Sequence, residues 1–217
     1  FQVYKEVCSA CHSLNRVAFH DLTEIGYTDA EVKAIAAGFM VPGVDKDTGE
    51  ATMRPGTPTD YFPKPFANDI AARAANHNAI PPDLSDMTKA RDGGAAYVYS
   101  LITGFQPIPP EVKKQFPDFD TPPGLYYNPY FANLNLAMPP PLTSEGQVQY
   151  KDGTKPTVDQ MAKDVAAFLV WTAEPTLGKR HQTGFVVIFF LIFATGLAYL
   201  AKKQGWVDAK PKRRLPA

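Results

Sequence analysis

The hydrophobic pattern is clearest near the end of the chain. In "TVDQMAKDVAAFLVWTAEP", Val158, Met161, Val165, Phe168, Leu169 and Thr172 recur at intervals of three and four, which predicts an amphipathic helix. Thr157 with Gln160 three residues on marks its start as a capping box. Thr28 and Glu31 mark a second helix in the same way, "TDAEVKAIAAGF". Residues 2 to 19 also read as helical. "NDIAARAANHN" is a short helix stopped by Pro81 and Pro82, and "SDMTKARDGGAAYVYSLITG" a longer one weakened at Gly93 and Gly94. Residues 38 to 65, with Pro42, Pro55, Pro58, Pro63 and Pro65, read as loop, and no strand series emerges. The pattern therefore predicts a mostly α, loop-rich chain.

One stretch is apolar on every side. "QTGFVVIFFLIFATGLAYLA", Gln182 to Ala201, has twenty residues and no charge. At about 1.5 Å per residue it reaches roughly 30 Å, the thickness of a bilayer core, and predicts a single C-terminal transmembrane helix. Lys179 and Arg180 precede it. Lys202, Lys203, Lys210, Lys212, Arg213 and Arg214 follow, with Asp208 the one acid among them. The positive-inside rule puts that tail on the cytoplasmic or matrix side and the preceding residues on the outer side. The expected organisation is a domain over 1–178, a membrane anchor over 179–204 and a short basic tail over 205–217. Residue 1 is Phe, and "FQVYKEVC" reads as the middle of a helix, so a removed leader is expected upstream.

Composition adds little until proline and cysteine are counted. Lys plus Arg equals Asp plus Glu, 22 each, so charge points to no nucleic-acid partner. Proline numbers 21 of 217, about twice the usual share of roughly 5 %. Ten of them fall between Gly104 and Leu142, alongside six aromatic residues from Phe116 to Phe131. A segment that long without periodic structure needs an anchor.

The two cysteines are Cys8 and Cys11, and His12 follows at once. Cys-x-x-Cys-His is the attachment pattern of a c-type haem. Thiols three apart on one helical face can add to the two vinyl groups of a porphyrin, and the next imidazole reaches the iron. A disulfide oxidoreductase would need a βαβ context, and a zinc site two further ligands, which the chain does not offer at suitable spacing. Thioether attachment belongs outside the cytoplasm, the side that the charge pattern also selects.

An electron carrier usually has a second axial ligand. The candidates are His20, His77, His181, Met40, Met53, Met87, Met138 and Met161. Met161 and Met87 suit core packing, His20 is too near His12 to cross the ring, and His77 reads as a surface residue. Met138 stands before Pro139, Pro140 and Pro141, whose fixed φ keeps the backbone extended and stiff. Residue physics alone leaves Met138 as the favoured ligand, with core packing as its alternative role.

Six ordered stretches carry a family resemblance: "VYKEVCSACHSL", "MRPG" with "DYFPKPFAN", "AARAAN" with "IPPDLS", "GLYYNPYF", "LAMPPPL" and "DGTKPTVDQMAKDVAAFLVWTAEP". Together they resemble the cytochrome c1 family, the haem-c subunits of quinol–cytochrome c oxidoreductases (bc1 complexes). The resemblance implies one covalent haem c on Cys8 and Cys11, with His12 and Met138 as the axial iron ligands. It implies a haem pocket made by Asn76, Ala79, Pro81, Pro82, Arg91, Tyr97, Phe131 and Pro141. Arg91 would meet a haem propionate, with Arg73 the weaker alternative.

The implied partners are cytochrome b, an iron–sulfur (Rieske) protein, a soluble or membrane-bound cytochrome c as acceptor, and the lipid bilayer, in a dimeric complex. Glu111, Asp118 and Asp120 are candidates for the patch that docks a basic cytochrome c. The implied location is a bacterial inner membrane with the haem domain in the periplasm, or a mitochondrial inner membrane with that domain in the intermembrane space. The role implied is single-electron transfer as a redox subunit, with no enzymatic activity of its own. Two departures stand out: "NHNA" replaces the family's usual Asn-Asn-Gly-Ala, and Pro139 follows Met138 where mitochondrial forms commonly have Ala.

Overall fold

The helix expected through residues 2 to 19 stops at Cys8. A wide π-helical turn, Tyr4–Cys8, closes with Ser9 N–H on the Tyr4 carbonyl (2.8 Å), and the backbone then bends away. Ala18 instead pairs with Tyr61 in an isolated antiparallel bridge, and a 3-10 turn follows over Phe19–Ile25. The correction has a simple cause. Leu14, Val17 and Phe19 are all fully buried, and they reach the core from an irregular strap rather than from one helical face.

The computed structural model describes residues 1–207, with helix making up about 46 % of those residues and little strand. Helix α1 (Asp29–Ala37) starts at Thr28, whose hydroxyl accepts from Glu31 N–H while the Glu31 carboxylate accepts from Thr28 N–H, the expected capping box. Next comes a feature the pattern did not predict. Residues 38 to 65 are not all loop: β1 (Met40–Val44) and β2 (Ala51–Pro55) form an antiparallel hairpin. Arg54 at its base forks onto Asp60, with both contacts at 2.7 Å, and Thr57 adds its N–H and hydroxyl to the same carboxylate. This fork, with lesser help from Thr57, holds the Asp60 carboxyl far below the usual range.

The middle of the chain is a series of short helices: α2 (Asp69–Ala75), α3 (Met87–Ala90), α4 (Gly94–Thr103) and α5 (Pro110–Gln115). The stretch read as one helix across Gly93 and Gly94 is therefore two, α3 and α4. Both glycines take positive φ (82° and 50°), which ends α3 and turns the chain into α4. A small second hairpin, β3 (Tyr126–Tyr127) with β4 (Asn135–Leu136), sits inside the proline-rich segment.

Helix α6 (Val158–Ala173) is the predicted amphipathic one. Met161, Val165, Phe168, Leu169 and Thr172 are all buried, and α6 packs on α4 and α3. The core joins this face to an aromatic cluster in which Phe62 meets Phe19 at 4.3 Å, Phe39 at 5.5 Å and Tyr4 at 6.0 Å between ring centroids. Residues Phe1–Pro175 form one compact unit, and Thr176 opens a second. The second consists of α7 (Leu177–Gly205), 29 residues with a mean hydropathy of 2.4 in its most apolar window, long and apolar enough to cross a membrane. The tail residues Asp208, Lys210, Lys212, Arg213 and Arg214 lie outside the described residues.

Phe62 is 2 % exposed at the centre of the aromatic cluster. Replacing it with alanine removes a ring that its neighbours cannot fill, and Phe62→Ala should destabilise the domain by about 3–5 kcal/mol. Thermal unfolding in detergent measures this; an unchanged midpoint would mean that the cluster adds nothing to stability.

Candidate functional site

The cysteine turn and the segment after α2 are joined by a ladder of polar contacts. Leu84 N–H donates to the Ser13 carbonyl at 2.9 Å. Asp83 accepts from the Ser13 hydroxyl (2.6 Å) and from Asn15 N–H (2.8 Å), and also from Ser85 N–H (2.9 Å). Arg16 N–H reaches the Ser85 hydroxyl at 3.1 Å, and the Arg16 guanidinium meets Asp86 at 3.0 Å. Ser85 is fully buried, so the ladder runs from the domain interior to its surface.

This ladder places His12. Its Nδ1 lies 2.8 Å from the Pro82 carbonyl oxygen. A carbonyl only accepts, so Nδ1 carries the proton and Nε2 keeps its lone pair. From the other side, the buried Tyr4 hydroxyl donates to the His12 carbonyl at 3.1 Å. Burial lowers the imidazole's pKa, opposed by the Pro82 bond and the Asp83 charge, and the ring is neutral at physiological pH. A neutral imidazole with one nitrogen committed to a backbone acceptor is the form that binds a metal, and the acceptor orients the ring.

The thiols stand directly before it. The Cys8 carbonyl accepts from Cys11 N–H (3.1 Å) and from His12 N–H (2.9 Å), closing Cys8 to His12 into one turn. Both cysteines are half-buried and unpaired. Burial pushes the Cys8 thiol up to about 12, so in the folded chain it stays protonated. Two free thiols and an imidazole in one turn, with Nδ1 committed to a backbone acceptor, fit a porphyrin tethered by thioethers and ligated by the imidazole. A thiol–disulfide enzyme fits less well, because the sheets among the described residues are two antiparallel hairpins and no βαβ unit.

Several expected pocket residues come together around the ladder. Pro82 supplies the carbonyl for His12, and Pro81 precedes it, half-buried. Asn76 and Ala79 shape the turn before them: Asn76 Nδ2 donates to the Ala72 carbonyl (2.7 Å), and Ala79 N–H to the Asn76 carbonyl (2.8 Å). Between them, His77 and Asn78 both take left-handed φ, 48° and 63°. Asn tolerates this region better than most residues, which suits Asn78 to the place where the family's usual motif has glycine. Tyr97 on α4 packs against the core. Arg91 is exposed, with its guanidinium on the neighbouring Ala90 carbonyl (3.0 Å), while Arg73 is held by the Asn78 carbonyl (2.9 Å).

The other potential iron ligands are sorted by their surroundings. Met161 is fully buried and Met87 is 9 % exposed, both in the core. Met40 and Met53 stand exposed on the first hairpin. His20 is turned onto the Pro58 carbonyl and Asp21. His77 is exposed and lies against Gly124. Met138 is half-buried two residues after β4, and Phe131 and Pro141, also half-buried, belong to the same segment. The Pro141 carbonyl accepts from Gln147 Nε2 at 2.8 Å, which pins the chain just after the prolines. Of the acidic residues proposed for docking, Asp120 is paired with Lys113 at 3.3 Å, and Glu111 stands in the first turn of α5.

Residues 1–209 match the Cytochrome C1 family. The chain belongs to the cytochrome c1 family. Cytochrome c1 of Rhodospirillum rubrum is 43 % identical over 219 residues, covering 97 % of this chain and 80 % of that protein. The mitochondrial heme protein cytochrome c1-2 of Solanum tuberosum is 43 % identical over 212 residues, covering 98 % of this chain and 78 % of its own length. A Bradyrhizobium diazoefficiens protein named cytochrome b/c1 is 44 % identical over 223 residues, and this chain spans 32 % of its length. Cytochrome c1 proteins carry one covalently bound haem c.

The sequence pattern missed Asp83, Ser13 and Ser85, which form the ladder beside His12. Their signal was present in "PPDLS", since an Asp followed two residues on by Ser is a common turn-capping pair. Burial alone would raise the Asp83 pKa, but the donors from Asn15, Ser13 and Ser85 outweigh it and the carboxyl sits below its usual value. A depressed carboxyl stabilises the fold above its unfolded pKa, about 3.9, and that share is lost as pH falls through the lower folded value. Melting temperature followed against pH should therefore drop for the parent below about pH 4. Asp83→Asn should start lower and fall less steeply across the same window. Parallel curves would show that the carboxylate contributes no pH-dependent stability.

Proposed function

We propose that this chain is the haem-c electron-transfer subunit of a bc1 complex, taking single electrons from an iron–sulfur protein and passing them to a cytochrome c. The observation that carries the reading is the His12 arrangement: a ring fixed through Nδ1 by the Pro82 carbonyl, immediately after two free cysteines in one turn. In this reading Cys8 and Cys11 form the thioethers, and His12 and Met138 hold the iron from its two faces. The sorting of the other methionines and histidines supports Met138, since each is packed in the core, exposed on the first hairpin, turned to other partners or placed in the second unit, apart from the exposed His77. Bound haem supplies one reversible electron. A thioether opposite an imidazole favours the ferrous state and raises the potential relative to two imidazoles.

Asn76, Ala79, Pro81, Pro82, Arg91, Tyr97, Phe131 and Pro141 complete the pocket, largely of apolar and proline side chains that keep water from the iron and raise the potential further. Arg91, with its guanidinium held only by its neighbour's carbonyl, is free to turn to a propionate. Helix α7 crosses the membrane once, with the domain before it outside and the basic tail inside, in a bacterial inner or mitochondrial inner membrane. Cytochrome b and the iron–sulfur protein are the stable partners, in a dimeric complex.

Extraction of the full chain from its membrane in mild detergent tests this. A b-type haem and an iron–sulfur protein should co-purify with the covalent haem, and quinol should reduce that haem only while the quinol-oxidising site is uninhibited. A chain that purifies alone, and is reduced at full rate with the inhibitor present, is a free membrane-anchored shuttle instead.

A further inference from the structure

Asn128 is fully buried, yet it is polar and lies in the loop of the small β3–β4 hairpin. Every hydrogen-bonding group it has is used. Its Nδ2 donates to the Leu101 carbonyl of α4 at 2.7 Å, and its Oδ1 accepts from Tyr130 N–H at 3.0 Å. Its backbone N–H donates to the Leu134 carbonyl (2.8 Å), and its carbonyl accepts from Phe131 N–H (3.2 Å). Leu101 is in the last turn of α4, where carbonyls have no helical partner, so one side chain both caps that helix and shapes the hairpin.

Other contacts also hold the hairpin: Tyr126 meets Phe105 and Tyr127 meets Phe119 edge-on, at 6.5 and 6.1 Å between ring centroids. β3 and β4 pair over two residues each, and between them Leu134 holds a left-handed φ of 64°, unusual for a non-glycine residue. Tyr130 closes on the end of α4 so tightly that a Cβ on Gly104 would stand 2.5 Å from its ring. Thr121 Oγ1 and the Asp120 carbonyl tie Asn135 to the incoming chain at 3.0 and 3.3 Å. Two residues beyond β4 comes Met138, and after the prolines Leu142 is buried. The hairpin is thus the upstream support for Met138, and Asn128 is what fixes the hairpin to the helical core.

We infer that Asn128 is a positioning residue for the Met138 thioether, setting the register in which β4 delivers it. The inference rests on Met138 being the iron ligand. An apolar or shorter residue at 128 leaves the Leu101 carbonyl and Tyr130 N–H without partners and frees the hairpin to slide. The thioether is then displaced, while the thiol turn and His12, held by the separate ladder to Asp83, stay in place.

The test compares Asn128→Ser with Met138→Leu in full-length chain in native membranes. Both carry covalent haem; the readouts are the sulfur-to-iron charge-transfer band of the oxidised protein, carbon monoxide binding by the reduced protein, and the midpoint potential. Asn128→Ser should lose most of the band, gain a carbon-monoxide-reactive fraction and shift its midpoint down towards that of Met138→Leu. A purely structural role would lower the yield and leave these three unchanged in the protein that folds, and that result overturns the inference. If Asn128→Ser does not accumulate, Asn128→Asp, which keeps the Oδ1 acceptor for Tyr130 N–H but removes the Nδ2 donor to Leu101, is read by the same criteria. Should Met138→Leu itself keep the band, the ligand assignment fails, and not the role of Asn128 alone.

Discussion

The hydrogen bond from His12 Nδ1 to the Pro82 carbonyl is the constraint on which the site depends. It selects the tautomer and orients the ring, and its acceptor is the carbonyl of a proline, whose fixed φ stiffens the backbone there. The bond survives because the two segments meet along a ladder, with Asp83 accepting from Ser13, Asn15 and Ser85. Each such contact is worth only about 0.5–1.5 kcal/mol net, so orientation comes from their number and from burial of Ser85, not from one strong bond.

The segment around Met138 is built differently. Met138 stands in a chain with two-residue strands and three prolines, where regular structure contributes little. Stiffness there comes from fixed φ at Pro139, Pro140 and Pro141 and from buried side chains at either end, Asn128 upstream and Leu142 downstream. His12 is thus held by a backbone carbonyl on a polar ladder, and Met138 lies in an irregular segment between two buried anchors. Ordering so much irregular chain costs about 1–2 kcal/mol per residue in backbone entropy, a cost that a covalently tethered haem would help to offset by serving as core.

Much of this was legible in the amino-acid sequence where periodicity or a strict spacing exists. Helix α6 follows from its apolar stripe, α1 from its capping box, and the thiol turn from Cys8, Cys11 and His12. The first hairpin was not legible, because β1 contains Pro42 and Gly43, and the alternation in β2 runs over five residues only, ends in a proline and is largely exposed. The helix expected through residues 2 to 19 ends early because Leu14, Val17 and Phe19 reach the core from an irregular strap, which their spacing of three and two already fits better than one helix face. The turn at Asp83 and Ser85 left a local mark in "PPDLS", but the partners of the ladder and of Asn128 lie about 27 to 70 positions away, beyond any local pattern.

The central claim is that one imidazole and one thioether hold the iron. Near-infrared magnetic circular dichroism of the oxidised full-length protein tests it most directly, since the charge-transfer energy differs between His–Met, His–His and singly ligated haem. The account predicts a low-spin His–Met signature. A His–His signature would place a histidine, with His77 the first to examine, where Met138 is assigned. A high-spin signature would mean that the proline segment delivers no ligand at all.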